Sequence, residues 1–176
     1  MVAGSPWRSE WRLSRCRPPD STGVAVTALD RALRRAIADM RAERAQFALV
    51  GGLAVSAWAE PRLTRDADLA VAVNSDSEAE ELVRRLLRRG YQVGALVEQE
   101  RLGRLATARL VDASGSGLYV DLLFASSGVE PELVSSAVEI ELTADLVAPV
   151  ATVGFLIALK LLSRDDRARP NDADDL

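Results

Sequence analysis

The sequence contains no histidine, a single cysteine and a single lysine. The absence of histidine excludes the commonest general base and the commonest zinc ligand. Cys16 alone can form neither a disulfide nor a cysteine zinc site within one chain. Any catalysis must therefore use carboxylates, hydroxyls, arginine, Lys160 or a metal ion bound by oxygen atoms.

The sequence also lacks long apolar runs and an excess of positive charge. No apolar run reaches the length that spans a bilayer, and the N-terminus has no signal-peptide core. We therefore expect a cytoplasmic protein with no membrane partner. The net charge is −4 at pH 7, so no overall basic field favours nonspecific binding to nucleic acid.

The 176 residues fit one domain with a sizeable core. Residues 1–23 show no periodicity and are expected to form a disordered lead-in, with a nucleic-acid-binding arm as the alternative. Helices are predicted over residues 27–45, 53–59 and 78–89, from residue 130 and after residue 152. Strands are predicted over residues 47–50, 66–73, 91–97, 104–111, 118–124 and 137–143, and a loop over 147–149.

Two glycines follow the first predicted strand. Gly51 and Gly52 allow the backbone to turn sharply and to approach a ligand closely. The free N–H groups and the dipole of the helix that follows favour a phosphate. The strand, glycine pair and helix together predict a phosphate-binding loop.

Two aspartates begin the second predicted strand. Asp66 and Asp68 point to the same face, because side chains alternate along a strand. Their carboxylates lie about 7 Å apart along the strand and repel each other unless a cation lies between them. Oxygen ligands of this kind suit Mg²⁺, so the pair predicts a metal site one strand away from the phosphate-binding loop.

The combined pattern resembles the nucleotidyltransferase fold of polymerase beta, and most closely the minimal AbiEii-like type from abortive-infection systems. The resemblance implies an α/β (α+β) fold in which helices flank a mixed central sheet. The alternative is a buried hairpin with a solvated acidic end, since Asp172-Ala-Asp174 has the same spacing without the strand and glycines. The matching residues are Gly51-Gly52-Leu-Ala54 and Arg62-Leu-Thr64-Arg-Asp66-Ala-Asp68.

The resemblance also implies a third catalytic carboxylate. Asp121 interrupts an apolar strand, where an unpaired charge is unfavourable. By context it matches the family's third carboxylate, so Asp66, Asp68 and Asp121 are the candidate catalytic residues and metal ligands. The alternative is an aspartate in water at a strand edge, or one that binds a backbone amide.

A further set of residues is expected to bind the nucleotide. Family members carry a similar Leu-Lys-Leu helix whose basic residues hold the triphosphate, and Lys160 lies in such a helix. The alternative for Lys160 is a surface charge at a helix end. The complete candidate set for nucleotide binding is Gly51, Gly52, Arg62, Thr64, Arg65 and Lys160.

The function implied by the resemblance is transfer of a nucleoside monophosphate from a nucleoside triphosphate, with Mg²⁺ or Mn²⁺. The acceptor hydroxyl could belong to RNA such as tRNA, to a protein or to a small molecule, including an antibiotic. The chain would then be a toxin with an antitoxin partner, and the alternative is a non-catalytic binding or antitoxin-like module. Residues 24–148 would form the nucleotidyltransferase domain, and residues 149–176 an incomplete C-terminal helical segment.

Overall fold

The computed structural model describes residues 28–59, 64, 66–99, 104–112, 119–124, 128–143 and 145–163. The predicted lead-in over residues 1–23 lies outside these ranges, as do Arg62, Arg65 and the acidic tail. Within the described residues, no helix combines the length and the apolar character needed to cross a bilayer.

A seven-stranded sheet forms the centre of the fold, with the order β3-β4-β5-β2-β1-β7-β6. β1 pairs antiparallel with β2, whereas β2 pairs in parallel with β5, so the sheet is mixed. The predicted α/β fold with a mixed central sheet is confirmed. The strands are β1 (Gln46–Val50), β2 (Asp66–Ala72), β3 (Tyr91–Gln99), β4 (Arg104–Asp112), β5 (Tyr119–Leu123), β6 (Val138–Thr143) and β7 (Leu146–Val150).

Five helices are described, and they pack on both faces of the sheet. α3 begins at a serine cap, where Ser75 Oγ accepts a hydrogen bond from the backbone N–H of Glu78. α1 ends at Ala42, three residues before the predicted end, and Arg44 follows with a positive φ of 56°. The helices are α1 (Ala28–Ala42), α2 (Gly51–Trp58), α3 (Asp76–Arg88), α4 (Glu130–Ser135) and α5 (Val153–Leu162).

The two sheet faces bury apolar clusters of unequal size. On one face, α1 and α3 supply Leu33, Ile37, Met40, Leu82 and Leu86 to the larger cluster, and the helical spacing of these residues places them on one side of each helix. On the other face, a smaller cluster contains residues of β1 and β2 beside α4 and α5. Asp66 and Asp68 alternate with the residues of the larger cluster along β2, so they lie on the second face.

The predicted loop at residues 147–149 is wrong, because these residues lie within β7. Pro149 misled the prediction, since proline lacks the N–H group that a central strand needs. Pairing between β1 and β7 is confined to Leu49 and Val150, and it continues with the bond from Ala151 N to Leu49 O. The sheet therefore tolerates the proline where β7 makes no register pair with β1.

A partly buried ion pair connects α1 to the end of β4. Arg35 binds the carboxylate of Asp112, which is only 5% exposed, and it donates to the backbone oxygen of Arg89 at 2.6 Å. The same guanidinium lies 4.9 Å from the ring centre of Tyr91. One side chain thus connects α1 to the outer strands β3 and β4.

Arg35→Met is expected to lower the free energy of unfolding by about 2 kcal/mol, because the buried Asp112 loses its guanidinium partner. Arg84→Met is the matched control, since Arg84 is 54% exposed and its ion pairs among the described residues are with exposed glutamates. It should change stability by less than about 1 kcal/mol. Urea unfolding of both variants checks this, and equal losses would contradict the structural role of Arg35.

Candidate active site

The site is built where β1 ends beside β2. Val50, the last residue of β1, lies directly opposite Asp68 in the antiparallel register. The chain then enters α2 at Gly51, two residues earlier than the predicted helix start. No side chain caps this helix, because the residue at the N-cap is Val50. The first turn of α2 is thereby held beside the carboxylate of Asp68.

Gly51 lies too close to Asp68 for any side chain. A Cβ atom added at Gly51 would lie 2.0 Å from Oδ2 of Asp68, and the φ of Gly51 is +63°. The left-handed backbone favours glycine here, and the close contact leaves no room for a Cβ atom unless Asp68 moves. Gly52 approaches Thr64 less closely, since a Cβ atom there would lie 3.2 Å from both Cβ and Oγ1 of Thr64, a contact that a shift of a few tenths of an ångström relieves.

The three predicted carboxylates come together on one face of the sheet. Asp68 and Asp121 are direct register partners on the parallel strands β2 and β5. Asp66 lies two residues before Asp68 on the same face, opposite Tyr119. Neighbouring strands are about 4.8 Å apart, so the carboxylates of Asp68 and Asp121 are close neighbours.

The environment of Asp68 disfavours its negative charge. Burial is the main cause that raises its pKa from 3.8 to about 6, and the charges of Asp121 and Asp66 add to it. The positive charge of Arg109 acts in the opposite direction without cancelling the shift. Among the described residues, the positive charge of Arg109 therefore does not offset the unfavourable burial of the Asp68 charge.

Arg109 is a member of this cluster that the sequence analysis missed. It lies opposite Asp121 in the antiparallel pairing of β4 and β5. Its Nε and Nη2 donate to the two oxygens of Asp121 at 2.8 and 2.6 Å, and this pairing raises the pKa of Arg109. Nη2 also lies 4.0 Å from Oδ2 of Asp66. The available signal was an arginine alternating with buried apolar residues along β4.

The carboxylates of Asp66, Asp68 and Asp121 offer the oxygen ligands that a divalent cation prefers. They are not, however, arranged as a finished metal site. Among the described residues, no group of three or more acidic, histidine or cysteine side chains could hold an ion as they stand. Asp121 is turned toward Arg109, which engages both of its oxygens. The unfavourable charge on Asp68 suits an added cation.

Four residues of the predicted nucleotide-binding set remain, namely Thr64, Lys160, Arg62 and Arg65. Thr64 contacts the glycine pair at Gly52, and its hydroxyl lies 3.4 Å from the backbone oxygen of Asp66. Lys160 lies in the last turn of α5, a helix that packs against α2. Arg62 and Arg65 are outside the described residues. The structure thus groups both glycines, Thr64 and the three aspartates. Lys160 is connected to this group through the packing of α5 against α2.

Comparison with solved structures supports the fold assignment. A candidate nucleotidyltransferase from Thermotoga maritima aligns with a TM-score of 0.54 and 16% identity, over 82% of this chain and 88% of its own. An antigenic nucleotidyltransferase-like protein from Paracoccidioides brasiliensis aligns with a TM-score of 0.52 and 17% identity, over 84% and 73%. At these identities the likeness shows a shared fold.

Comparison with protein families identifies the group. No curated protein matches the sequence. Residues 31–176 match the family described as nucleotidyl transferase AbiEii toxin of type IV toxin–antitoxin systems. The match covers most of the chain, including both glycines, all three aspartates and Arg109. The chain is therefore an enzyme of the nucleotidyltransferase type and belongs to the AbiEii family of toxins.

Proposed function

We propose that the enzyme transfers a nucleoside monophosphate from a nucleoside triphosphate to an acceptor hydroxyl, and that it needs Mg²⁺ or Mn²⁺. The observation that carries this proposal is the register pairing of Asp68 with Asp121 beside the first turn of α2. The carboxylates would then lie beside the free N–H groups of the helix's first turn. This combination suits a triphosphate with its bound cations.

Asp66, Asp68 and Asp121 would hold the cations, which would stabilise negative charge on the attacking and leaving oxygens. The first turn of α2 would bind phosphate oxygens through backbone N–H groups, and Gly51 and Gly52 would allow their close approach. Further positive charge would come from the remaining members of the predicted set. These are Arg62, Arg65 and Lys160, with the Thr64 hydroxyl as an additional hydrogen-bonding group.

In the reaction, the acceptor oxygen forms a bond to the α-phosphorus of the nucleotide. The bond from the α-phosphorus to the bridging oxygen breaks, and pyrophosphate leaves. The acceptor proton passes to a carboxylate of the cluster or to solvent. Since the chain has no histidine, a carboxylate is the available side-chain base at this position.

The acceptor is proposed to be RNA such as tRNA, a protein or a small molecule, and the partner to be the antitoxin of the same system. Family membership supports the toxin–antitoxin role. Fold alone does not select an acceptor, because one fold supports many substrates.

Incubation with α-labelled and γ-labelled nucleotides tests the proposed reaction. With Mg²⁺ and a cell lysate, label should enter a macromolecule or small molecule from the α-position and not from the γ-position. Nuclease and protease treatment of the product then identifies the acceptor. Asp66→Asn is the control, and it should reduce labelling by at least about a hundredfold. Transfer from the γ-position, or equal labelling by Asp66→Asn, would contradict the proposal.

A further inference from the structure

Arg109 holds Asp121 in the manner that a bound cation would. It donates to both carboxylate oxygens at 2.8 and 2.6 Å, from the register position directly opposite on the neighbouring strand. Such a two-bond pairing of guanidinium and carboxylate is among the stronger ionic contacts in proteins. Asp121 is only 8% exposed, so water competes weakly for it. Any other cation that uses these oxygens must compete with Arg109.

The charge of the cluster explains why such a contact is needed. Asp66, Asp68 and Asp121 place three carboxylates on one face, and Arg109 lies within 4.0 Å of two of them. Without the guanidinium, Asp68 and Asp121 would face each other across neighbouring strands, and Asp121 would lose the positive charge that now lies opposite it on β4. Arg109 therefore stabilises the cluster in the cation-free protein.

Arg109 also contacts a second partner, and that contact does not depend on Asp121. Its side chain is 42% exposed, and its guanidinium lies 4.9 Å from the ring centre of Tyr119. Tyr119 is itself 39% exposed and neighbours Asp66 in the register. Arginine stacks well on an aromatic face, so release from Asp121 leaves the guanidinium with a partner.

We propose that Arg109 is a displaceable counter-cation, which occupies Asp121 until a divalent cation takes its place. The inference rests on the proposed metal dependence and adds a residue that sets cation affinity. Arg109 is on this view a positioning residue, because it acts through Asp121. It keeps the carboxylates together in the cation-free protein and weakens cation binding by direct competition.

Mn²⁺ titration of the full chain without nucleotide tests the competition, with calorimetry or electron paramagnetic resonance as the readout. Arg109→Gln should bind Mn²⁺ on the order of tenfold more tightly than the wild type. Arg109→Lys keeps the charge but loses the two-bond contact, and its affinity should lie between the two. In an Asp121→Asn background the substitution Arg109→Gln should change the Mn²⁺ affinity little, because the carboxylate for which Arg109 and Mn²⁺ compete is absent.

Thermal melting gives a second readout on the same proteins. Cation-free Arg109→Gln should melt below the wild type and should gain more from added Mn²⁺. The proposal is overturned if Arg109→Gln binds Mn²⁺ more weakly than the wild type does. It is also overturned if Arg109→Gln tightens Mn²⁺ binding equally in the wild-type and Asp121→Asn backgrounds. If the wild type binds Mn²⁺ and Arg109→Gln is unchanged, only the role of Arg109 fails. If no variant binds Mn²⁺, the proposed metal dependence fails and the competition fails with it.

Discussion

Asp68→Asn is expected to stabilise the cation-free protein near pH 7.5 while it lowers nucleotidyl transfer by about a thousandfold. The substitution removes a charge that is disfavoured by burial and by Asp66 and Asp121. The expected gain in the free energy of unfolding is about 1–3 kcal/mol, from the difference between a pKa of 3.8 and one of about 6. Activity should fall because a proposed cation ligand is lost.

The same pKa shift fixes the pH dependence. The folded protein holds the Asp68 proton more tightly than the unfolded chain does, so it binds more protons between about pH 4 and pH 6. Its stability contribution from Asp68 is therefore complete below pH 4 and is lost as the pH rises through 6. In the cation-free Asp68→Asn variant this fall should disappear.

Urea unfolding at pH 4, 6 and 7.5 in the presence of a chelator measures both effects. Asp112→Asn is the matched control, because Asp112 is also a buried aspartate but has the guanidinium of Arg35 as its partner. That variant should be less stable than the wild type. A large loss of stability in Asp68→Asn would instead indicate a structural carboxylate, and unchanged transfer would exclude it from catalysis.

Gly51→Ala is expected to lower the free energy of unfolding by about 2–5 kcal/mol and to abolish nucleotide binding. The new methyl group would lie 2.0 Å from Oδ2 and 2.7 Å from Cγ of Asp68, and alanine would be forced to a φ of +63°. Relief requires that α2 or the carboxylate move, and either change separates the proposed phosphate and cation sites. Binding is measured as the rise in melting temperature on addition of Mg²⁺ and nucleotide.

Two other glycines separate the effect of backbone strain from the effect of the close approach to Asp68. Gly128 has a φ of +81° and nothing within 4 Å of an added Cβ atom, so Gly128→Ala tests backbone strain alone. Gly154 in α5 has neither feature, and Gly154→Ala should be neutral or stabilise by up to about 1 kcal/mol. Gly51→Ala should cost more than Gly128→Ala. If the two losses are equal and nucleotide still binds, the close approach to Asp68 has no functional meaning.

Features that depend on neighbouring residues could be predicted from the sequence. The alternation along β2 placed Asp66 and Asp68 on one face, and the apolar run ended by glycines located Gly51 at the turn into α2. Asp121 was a candidate because a lone carboxylate in an apolar strand needs a partner and because the resembled family has a third carboxylate on a later strand. The first two conclusions use only residues close together in the chain.

Features that depend on strand register could not be predicted in the same way. Arg109 alternates with apolar residues as any solvent-facing arginine does, and only the pairing of β4 with β5 places it opposite Asp121. The strand β7 was missed because Pro149 disfavours a central strand unless the neighbouring strand leaves its N–H position unpaired. Which strands become neighbours is a property of the whole sheet.

The parallel pairing of β2 with β5 has a consequence for how the protein opens. β1 and β2 are antiparallel neighbours joined through α2, whereas α3, β3 and β4 separate β2 from β5 in the chain. Closing that longer connection is entropically harder, so the pair of β1 and β2 can form first with Asp66 and Asp68 still in water. Their repulsion with Asp121 arises only when β5 joins. The repulsion thus weakens the pairing of β2 with β5. Local opening of the native sheet is expected to begin between these two strands.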